Sequence, residues 1–188
     1  MYYGTNYQSP VGDIYMASDG KSIIGLWIGE QKYISDTMPE DIIEKAGIPA
    51  LQKGIRWLDD YFAGKKPECS HLSLAPIGGE FRQTVWKILL EIPYGQTTTY
   101  GNIAKETARR MGRERMSAQA VGGAIGHNPI SIMIPCHRVV GSNGSLTGYA
   151  GGIDKKIRLL AHEGVDISKL SVPESKMRLC SADTKEKL

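Results

Sequence analysis

The sequence has 188 residues, of which 41% are hydrophobic and 23% charged, with a formal net charge of +3 at pH 7. This is an ordinary globular composition, long enough for one domain of usual size or two small ones. It excludes a disordered chain, and no apolar run approaches the ~18–20 residues of a membrane span. Three cysteines, Cys69, Cys136 and Cys180, cannot all pair within one chain and show no Cys-x-x-Cys spacing. A disulfide scaffold and a dedicated zinc site are therefore not expected. The segment MYYGTNYQSP has neither the basic nor the apolar region of a signal peptide, so a reduced, cytoplasmic protein is expected.

The N-terminal part predicts a sheet. Residues 13–18 (DIYMAS) and 21–28 (KSIIGLWI) flank Asp19-Gly20, a two-residue loop that favours a β-hairpin. Residues 50–63 switch to helical spacing, with Leu51, Ile55, Leu58 and Phe62 on one face and Gly64 after the C-terminus. Residues 64–79 are punctuated by glycine and proline and read as a linker with one short strand. In residues 81–92, Phe81, Val85, Ile88, Leu89 and Ile92 form another apolar helix face, ended by Pro93-Tyr94-Gly95.

Two more helices follow. The first runs from Tyr100 to about Met111. The second runs from Ser117, a good N-cap, to about Ile125, and is built from small residues: Ala118, Ala120, Gly122, Gly123 and Ala124. Two helices joined by a short basic turn resemble a helix-turn-helix, although spacing alone favours a plain helical hairpin of a core. Between Tyr100 and Arg138 the bases are Lys105, Arg109, Arg110, Arg113, Arg115 and Arg138, against the acids Glu106 and Glu114. That balance of 6 − 2 = +4 exceeds the net charge of the whole chain and suits a phosphate backbone, or simply a solvated turn.

Residues 130–134 (ISIMI) predict a short buried strand leading to Pro135-Cys136-His137. A glycine-rich loop spans Gly141 to Gly152. Asp154 is then expected to cap a helix whose Ile157, Leu160 and Ala161 face inward, with Gly164 at its end. The tail, residues 166–188, is expected to be only partly ordered.

Cys136 follows a proline and precedes a histidine. A thiol becomes a strong nucleophile as its thiolate, and His137 and Arg138 are both at hand to favour that form. The alternative is a buried structural cysteine. Glu163 lies in the last turn of its helix, where the helix dipole disfavours an acid. It either orients a histidine as the third member of a nucleophile–base–acid array or is an exposed glutamate. Asn128 either makes a turn with Pro129 or bonds across to the cysteine loop.

Taken together, IPCHRVV (134–140), PYGQTTTYG (93–101), AVGGAIGHNP (120–129), GYAGG (148–152) and LLAHEG (159–164) resemble, in order, the blocks of the methylated-DNA–protein-cysteine methyltransferases. These are the O6-alkylguanine DNA repair proteins. The blocks span residues 80–165, and SPVG (9–12) with the hairpin after it is weakly similar to the family's variable N-terminal domain.

The resemblance implies a two-domain α+β fold. Residues 1–75 would form a small ribonuclease-H-like sheet domain with helices, and residues 80–165 a mainly helical domain with a helix-turn-helix. It implies direct, irreversible transfer of the alkyl group of O6-methylguanine, with O4-methylthymine a second substrate, to Cys136, once per protein molecule. His137 would act as base through a water, Glu163 would orient it, and Asn128 would hold the active-site turn. The partner would be double-stranded DNA, bound by a monomer through the minor groove with the target base flipped out, and no cofactor or metal is expected. Tyr100 would press on the phosphate, Tyr149 and Ala150 would line the base pocket, and Arg138, Val139 and Val140 would contact the base or DNA. Ala118, Gly122 and Gly123 would allow close approach. Gln119 stands where the family commonly has an intercalating arginine, and Ala150 where some relatives have serine. A non-enzymatic alkylguanine-binding protein and a multiple-turnover Cys–His hydrolase are the competing readings.

Overall fold

The computed structural model describes residues 1–171. Three strands, β1 (Tyr2–Ser9), β2 (Gly12–Ser18) and β3 (Ile23–Ile28), form an antiparallel meander. A short β4 (Ile42–Glu44) joins β1 in parallel, giving the order β3-β2-β1-β4. A single helical turn, α1 (Ile34–Thr37), precedes β4, and α2 (Pro49–Phe62) follows it. Pro49 opens α2 at the first position, where its missing N–H costs nothing. The helix then buries Leu51, Trp57, Leu58 and Tyr61, while Ile55 and Phe62 of the expected stripe are only half-buried.

The expected hairpin forms, with a longer loop than Asp19-Gly20. Ser18 pairs with Ile23, so four residues make the turn. Oδ1 of Asp19 accepts the backbone N–H of Lys21 at 2.8 Å and of Ser22 at 2.7 Å. That side-chain cap stabilises the wider turn. β1, β4 and α1 carry no clean signal in the sequence. β1 is half-exposed along much of its length, and the other two elements have only three and four residues.

The linker contains a one-turn 3₁₀ segment, Cys69–His71, and a single parallel bridge between Leu74 and Ile23. Beyond it, α3 (Glu80–Leu90), α4 (Tyr100–Arg110) and α5 (Ala118–Gly126) pack on one another. Trp86 on α3 donates its indole N–H to the carbonyl of Ala124 on α5 at 2.9 Å. The hydroxyl of Thr99 caps α4 and that of Ser117 caps α5. A two-residue parallel pair joins β5 (Thr98–Thr99) to β6 (Val139–Val140), and α6 (Ile153–His162) closes the unit.

Two expectations for this half are corrected. Residues 130–134 are buried but form a turn, not a strand. Ile132 sits at φ 67°, and the N–H of Ile134 bonds back to the carbonyl of Ile130 at 3.0 Å. A short apolar run fits a strand and a buried turn equally well. Asp154 lies in the first turn of α6 rather than at its cap, which is Gly152 at φ 100°.

The two halves share one apolar core, which runs from Val11 to Leu160. They also share backbone hydrogen bonds. Leu26 on β3 donates to Pro129 at 2.8 Å, and Ser131 donates back to Leu26 at 2.9 Å. The open edge of the sheet thus holds the segment leading to Cys136. Gln31, buried beside it, accepts the N–H of Ile28 and the hydroxyl of Ser131. The start of the tail also packs, since Ser171 accepts the N–H of Leu146 at 2.8 Å and donates its own to the carbonyl of Gly144 at 3.1 Å. Cys180 and the rest of the tail lie outside the described residues. No helix among the described residues is long and apolar enough to cross a membrane.

Candidate active site

Cys136 opens a 3₁₀ turn, Cys136–Arg138, immediately after the buried 130–134 turn. Asn128 builds this geometry. Its Oδ1 accepts the N–H of Ile130 at 3.0 Å, and its Nδ2 donates to the carbonyl of Ile134 at 2.8 Å and to Sγ of Cys136 at 3.1 Å. Of the two roles the sequence allows for Asn128, the structure therefore has both. A left-handed, β-branched Ile132 stores about 1–3 kcal/mol of backbone strain, which the surrounding hydrogen bonds must offset.

Cys136 is 4% exposed. Burial pushes its thiol above the ordinary value, opposed by the Asn128 hydrogen bond and the positive charge of Lys156. The resting group is a thiol, and its neighbours favour the thiolate.

His137 is fully buried. Its Nε2 lies 2.7 Å from Oε1 of Glu163, an arrangement in which the ring donates Nε2–H to the carboxylate. Nδ1 is then the acceptor, and it is buried without a hydrogen-bond partner among the described residues. Burial holds the imidazole below its usual pKa, and the charges of Arg138 and Lys156 act in the same direction. The hydrogen bond and charge of Glu163 act against both.

Glu163 is the C-cap of α6 and is 5% exposed, not a surface acid. Its carboxylate accepts from Nε and Nη2 of Arg138 at 2.8 and 3.0 Å, from the hydroxyl of Tyr61 at 2.8 Å, and from the N–H of Gly95 at 3.2 Å. Burial alone would raise this carboxyl. The hydrogen bonds and charges of His137 and Arg138 outweigh burial and hold it well below the usual carboxylate range. Gly95 has φ 74°, and a Cβ there would lie 2.8 Å from the Glu163 carbonyl oxygen, so only glycine brings its N–H this close.

Lys156 is fully buried, and no salt bridge to it occurs among the described residues. Its Nζ donates to the carbonyls of Val139 at 2.6 Å and Thr147 at 3.1 Å. It thereby ties β6 and the glycine-rich loop to α6. Burial lowers its pKa to about 8, with the charge of Cys136 pulling the other way.

A cavity of about 350 Å³ is lined by Tyr100, Gln119, Gly122, Gly123, Tyr149 and Ala150, together with Lys32 and Tyr33 from the sheet domain. Its volume is at the lower end for small-molecule sites. Cys136 does not line it. Burial first, and the charge of Cys136 second, push the Tyr100 phenol up to about 12 and raise that of Tyr149. The buried Tyr149 hydroxyl makes no hydrogen bond of ordinary length among the described residues, and the nearby Ser131 hydroxyl only partly offsets the effect of burial on its phenol. The Tyr100 hydroxyl is shared between the carbonyls of Thr147 at 2.9 Å and Gly148 at 3.1 Å. A larger cavity of about 710 Å³ is lined by the turn itself, through Ile132, Met133, Pro135 and Arg138, with Trp57, Tyr61, Cys69 and Tyr94.

Helix α5 packs through Val121, Ala124 and Ile125 and leaves Ala118, Gln119 and Gly123 exposed. A Cβ at Gly123 would meet nothing within 4 Å. A glycine inside a helix costs about 0.5–1 kcal/mol relative to alanine, and internal packing gives no reason for this one.

Two expectations about charge are corrected. Arg138, expected on the nucleic-acid face, is 8% exposed and points the other way, onto Glu163 and the carbonyl of Ile92. A buried acid on α6 is the stronger partner for it. Arg109 and Arg110 are paired with Glu106, and Arg110 also with Glu91. The basic surface therefore narrows to Lys105, Arg113 and Arg115, which are exposed and form no ion pair among the described residues. Val139 and Val140 are buried on β6 and offer backbone rather than side chains.

Tyr61, Gly95 and Lys156 are parts of the site that sequence reasoning missed. Tyr61 sits on the apolar face of α2 and reads as core. Lys156 carried a usable signal, because it falls on the buried stripe of α6 between Ile153 and Leu159. No group of three or more His, Cys, Asp or Glu that could hold a metal occurs among the described residues.

Comparison with known proteins adds the following. Residues 80–165 match the family model described as the DNA binding domain of 6-O-methylguanine DNA methyltransferase, and residues 1–76 match that of its ribonuclease-like domain. The methylated-DNA–protein-cysteine methyltransferase of Methanosarcina acetivorans is 43% identical over 166 residues, covering 87% of this chain and 99% of the relative. That of Haemophilus influenzae is 39% identical, covering 88% and 87%. The crystal structure of the Mycobacterium tuberculosis O6-methylguanine methyltransferase superposes with a TM-score of 0.73 at 40% identity, over 87% of this chain and 93% of that one. The Mycobacterium tuberculosis OGT in complex with DNA gives 0.74 at 39%, over 89% and 94%.

Proposed function

The chain belongs to the 6-O-methylguanine DNA methyltransferase family of DNA repair enzymes, and from that premise we propose that it moves the methyl group of O6-methylguanine in duplex DNA onto its own Cys136, once per molecule. The observation that carries this reading is a buried Cys136, bonded by Asn128, next in the chain to a buried His137 that rests on the carboxylate of Glu163.

The array supplies the required proton chemistry. Glu163, kept ionised by its other donors, fixes His137 with Nε2–H toward the acid and Nδ1 free to accept. A water takes the thiol proton and passes it to Nδ1. The thiolate attacks the methyl carbon in line, an S–C bond forms, and the C–O6 bond breaks with its electron pair going to guanine. A proton returned to guanine N1 balances the one taken from sulfur. The thioether product is stable and cannot be hydrolysed, so the protein is consumed. Asn128 stabilises the thiolate through its hydrogen bond to Sγ, and Lys156 through its charge.

A base stacked in a duplex is out of reach of a buried thiol, and flipping it costs a few kcal/mol. The exposed residues of α5, Ala118, Gln119 and Gly123, support minor-groove approach there. Gln119 fills part of the space left by the flipped base. Tyr100 meets the phosphate beside it, and the hydroxyl of Tyr149 bonds the base. Residues 1–75 act as the support and residues 80–165 as the alkyltransferase and DNA-binding unit.

The test is stoichiometry. Duplex DNA with a single O6-methylguanine should be restored to guanine with one lesion repaired per protein, and Cys136→Ser should repair none while retaining DNA binding. Repair of several lesions per molecule would contradict the reading and favour a multiple-turnover hydrolase.

A further inference from the structure

We infer that Tyr61, on the helix of the N-terminal sheet domain, is a positioning residue that tunes the basicity of His137 by sharing the Glu163 oxygen on which the histidine rests. This inference rests on the function proposed above.

Oε1 of Glu163 lies 2.7 Å from Nε2 of His137, 2.8 Å from the Tyr61 hydroxyl and 3.0 Å from Nη2 of Arg138. A carboxylate oxygen offers two lone pairs, so three donors compete for it. Each donor withdraws charge from the oxygen and so weakens its pull on a proton at His137. Tyr61 can only donate here. Its burial first, and the Glu163 charge second, keep the phenol protonated far above the ordinary range.

The ring is also fixed. It stacks on Trp57 at 5.3 Å and meets Phe62 and Tyr94 edge-on at 5.1 and 5.9 Å. His162 closes the fourth side at 5.1 Å, with its Nε2 bonded to the Tyr61 carbonyl at 2.7 Å. A side chain held this tightly cannot leave the carboxylate without repacking both halves of the molecule. The remaining groups facing the Glu163–His137 pair are Arg138, Lys156, Cys136, Tyr149 and Tyr94. Arg138 and Lys156 disfavour the imidazolium and Glu163 favours it. Tyr61 acts on the same side as Arg138 and Lys156, although it is an uncharged residue from a part of the chain remote in sequence from the thiol.

Two isosteric changes test this with opposite signs. Single-turnover methyl transfer at saturating DNA is measured across pH for the unaltered protein, for Tyr61→Phe, and for a protein carrying 3,5-difluorotyrosine at position 61. Removing the hydroxyl strengthens Glu163 as an acceptor, so the acid limb should move up by about half a pH unit. The fluorinated phenol is a stronger donor and should move the limb down, with DNA affinity unchanged in both.

Superposable profiles, or shifts of the same sign, would overturn the proposal and leave Tyr61 as packing. If Tyr61→Phe fails to fold, the fluorinated protein, which preserves the ring and the bond, decides alone. Ring-nitrogen chemical shifts of His137 over the same pH range report the same displacement without any reaction. A failure of transfer in the unaltered protein is thereby distinguished from a failure of this inference.

Discussion

Behind Cys136 the polar groups are heavily committed. Glu163 takes hydrogen bonds from Tyr61, His137, Arg138 and Gly95, and Lys156 spans two carbonyls. In front of it, on α5, Ala118, Gln119 and Gly123 face open space, and the buried Tyr149 hydroxyl makes no hydrogen bond of ordinary length among the described residues. The contrast is between an interior whose carboxylate and ammonium are fully bonded and a helix face that packs against nothing. Groups that must hold a proton in one place are over-determined, which rigidifies them in low dielectric. Groups left for a partner keep their bonding capacity unspent. Disturbing the rear should therefore damage chemistry and fold together, while disturbing the front should change binding alone.

The strongest way to break this contrast is Glu163→Gln. It leaves the Arg138 guanidinium buried without a counter-charge, which costs about 3–5 kcal/mol. Denaturant unfolding should register that loss, and the transfer rate should fall by about two orders of magnitude or more as His137 loses its orienting acid. The pH dependence should change as well. A carboxyl held below its unfolded value contributes stability that is present above the usual carboxylate range and lost as pH falls through the folded value. The acid-side decline should be shallower in the variant. Unchanged stability would contradict the ion pair as described.

Lys156 sharpens the comparison from the alkaline side. Its folded pKa is about 8, below the unfolded value of about 10.4. Between those values the unfolded chain binds more protons than the folded one, so this residue makes stability rise with pH. The rise should reach up to about 3 kcal/mol in the unaltered protein relative to Lys156→Met, as each pKa unit is worth about 1.4 kcal/mol. A stability difference that stays constant from pH 7 to 10 would count against a buried ammonium.

The front gives the smallest effect. Gln119→Arg adds a cation to the exposed face of α5 and should tighten undamaged duplex by a few-fold, steepening the log–log salt dependence by up to about 0.9. Fold stability should not move. An equal affinity and salt slope would place the binding surface elsewhere.

Much of the front was legible in the sequence, because surface chemistry follows from residue type. Ser117 as cap and the small residues of α5 were readable from spacing and composition, and the position of Gln119 from the resemblance to the family. The rear was legible only in part. Cys136, His137 and Glu163 stood out, while their supports did not, because Tyr61 reads as core from its helix face. Arg138 was misplaced because a base beside a basic helical hairpin resembles a surface contact until its acid, 25 positions along the chain, is folded against it. The apolar run 130–134 misread as a strand for the same reason. Its turn depends on the Asn128 side chain, a contact that periodicity cannot register.

The central claim is that Cys136 is the methyl acceptor and is consumed by one event. Peptide mass spectrometry after incubation with O6-methylguanine duplex tests it most directly. One methyl group should appear on the peptide containing Cys136 and none on that containing Cys69, with the modified fraction equal to the lesions removed. Lesion removal without a modified Cys136 peptide, or a methyl on another residue, would contradict the account.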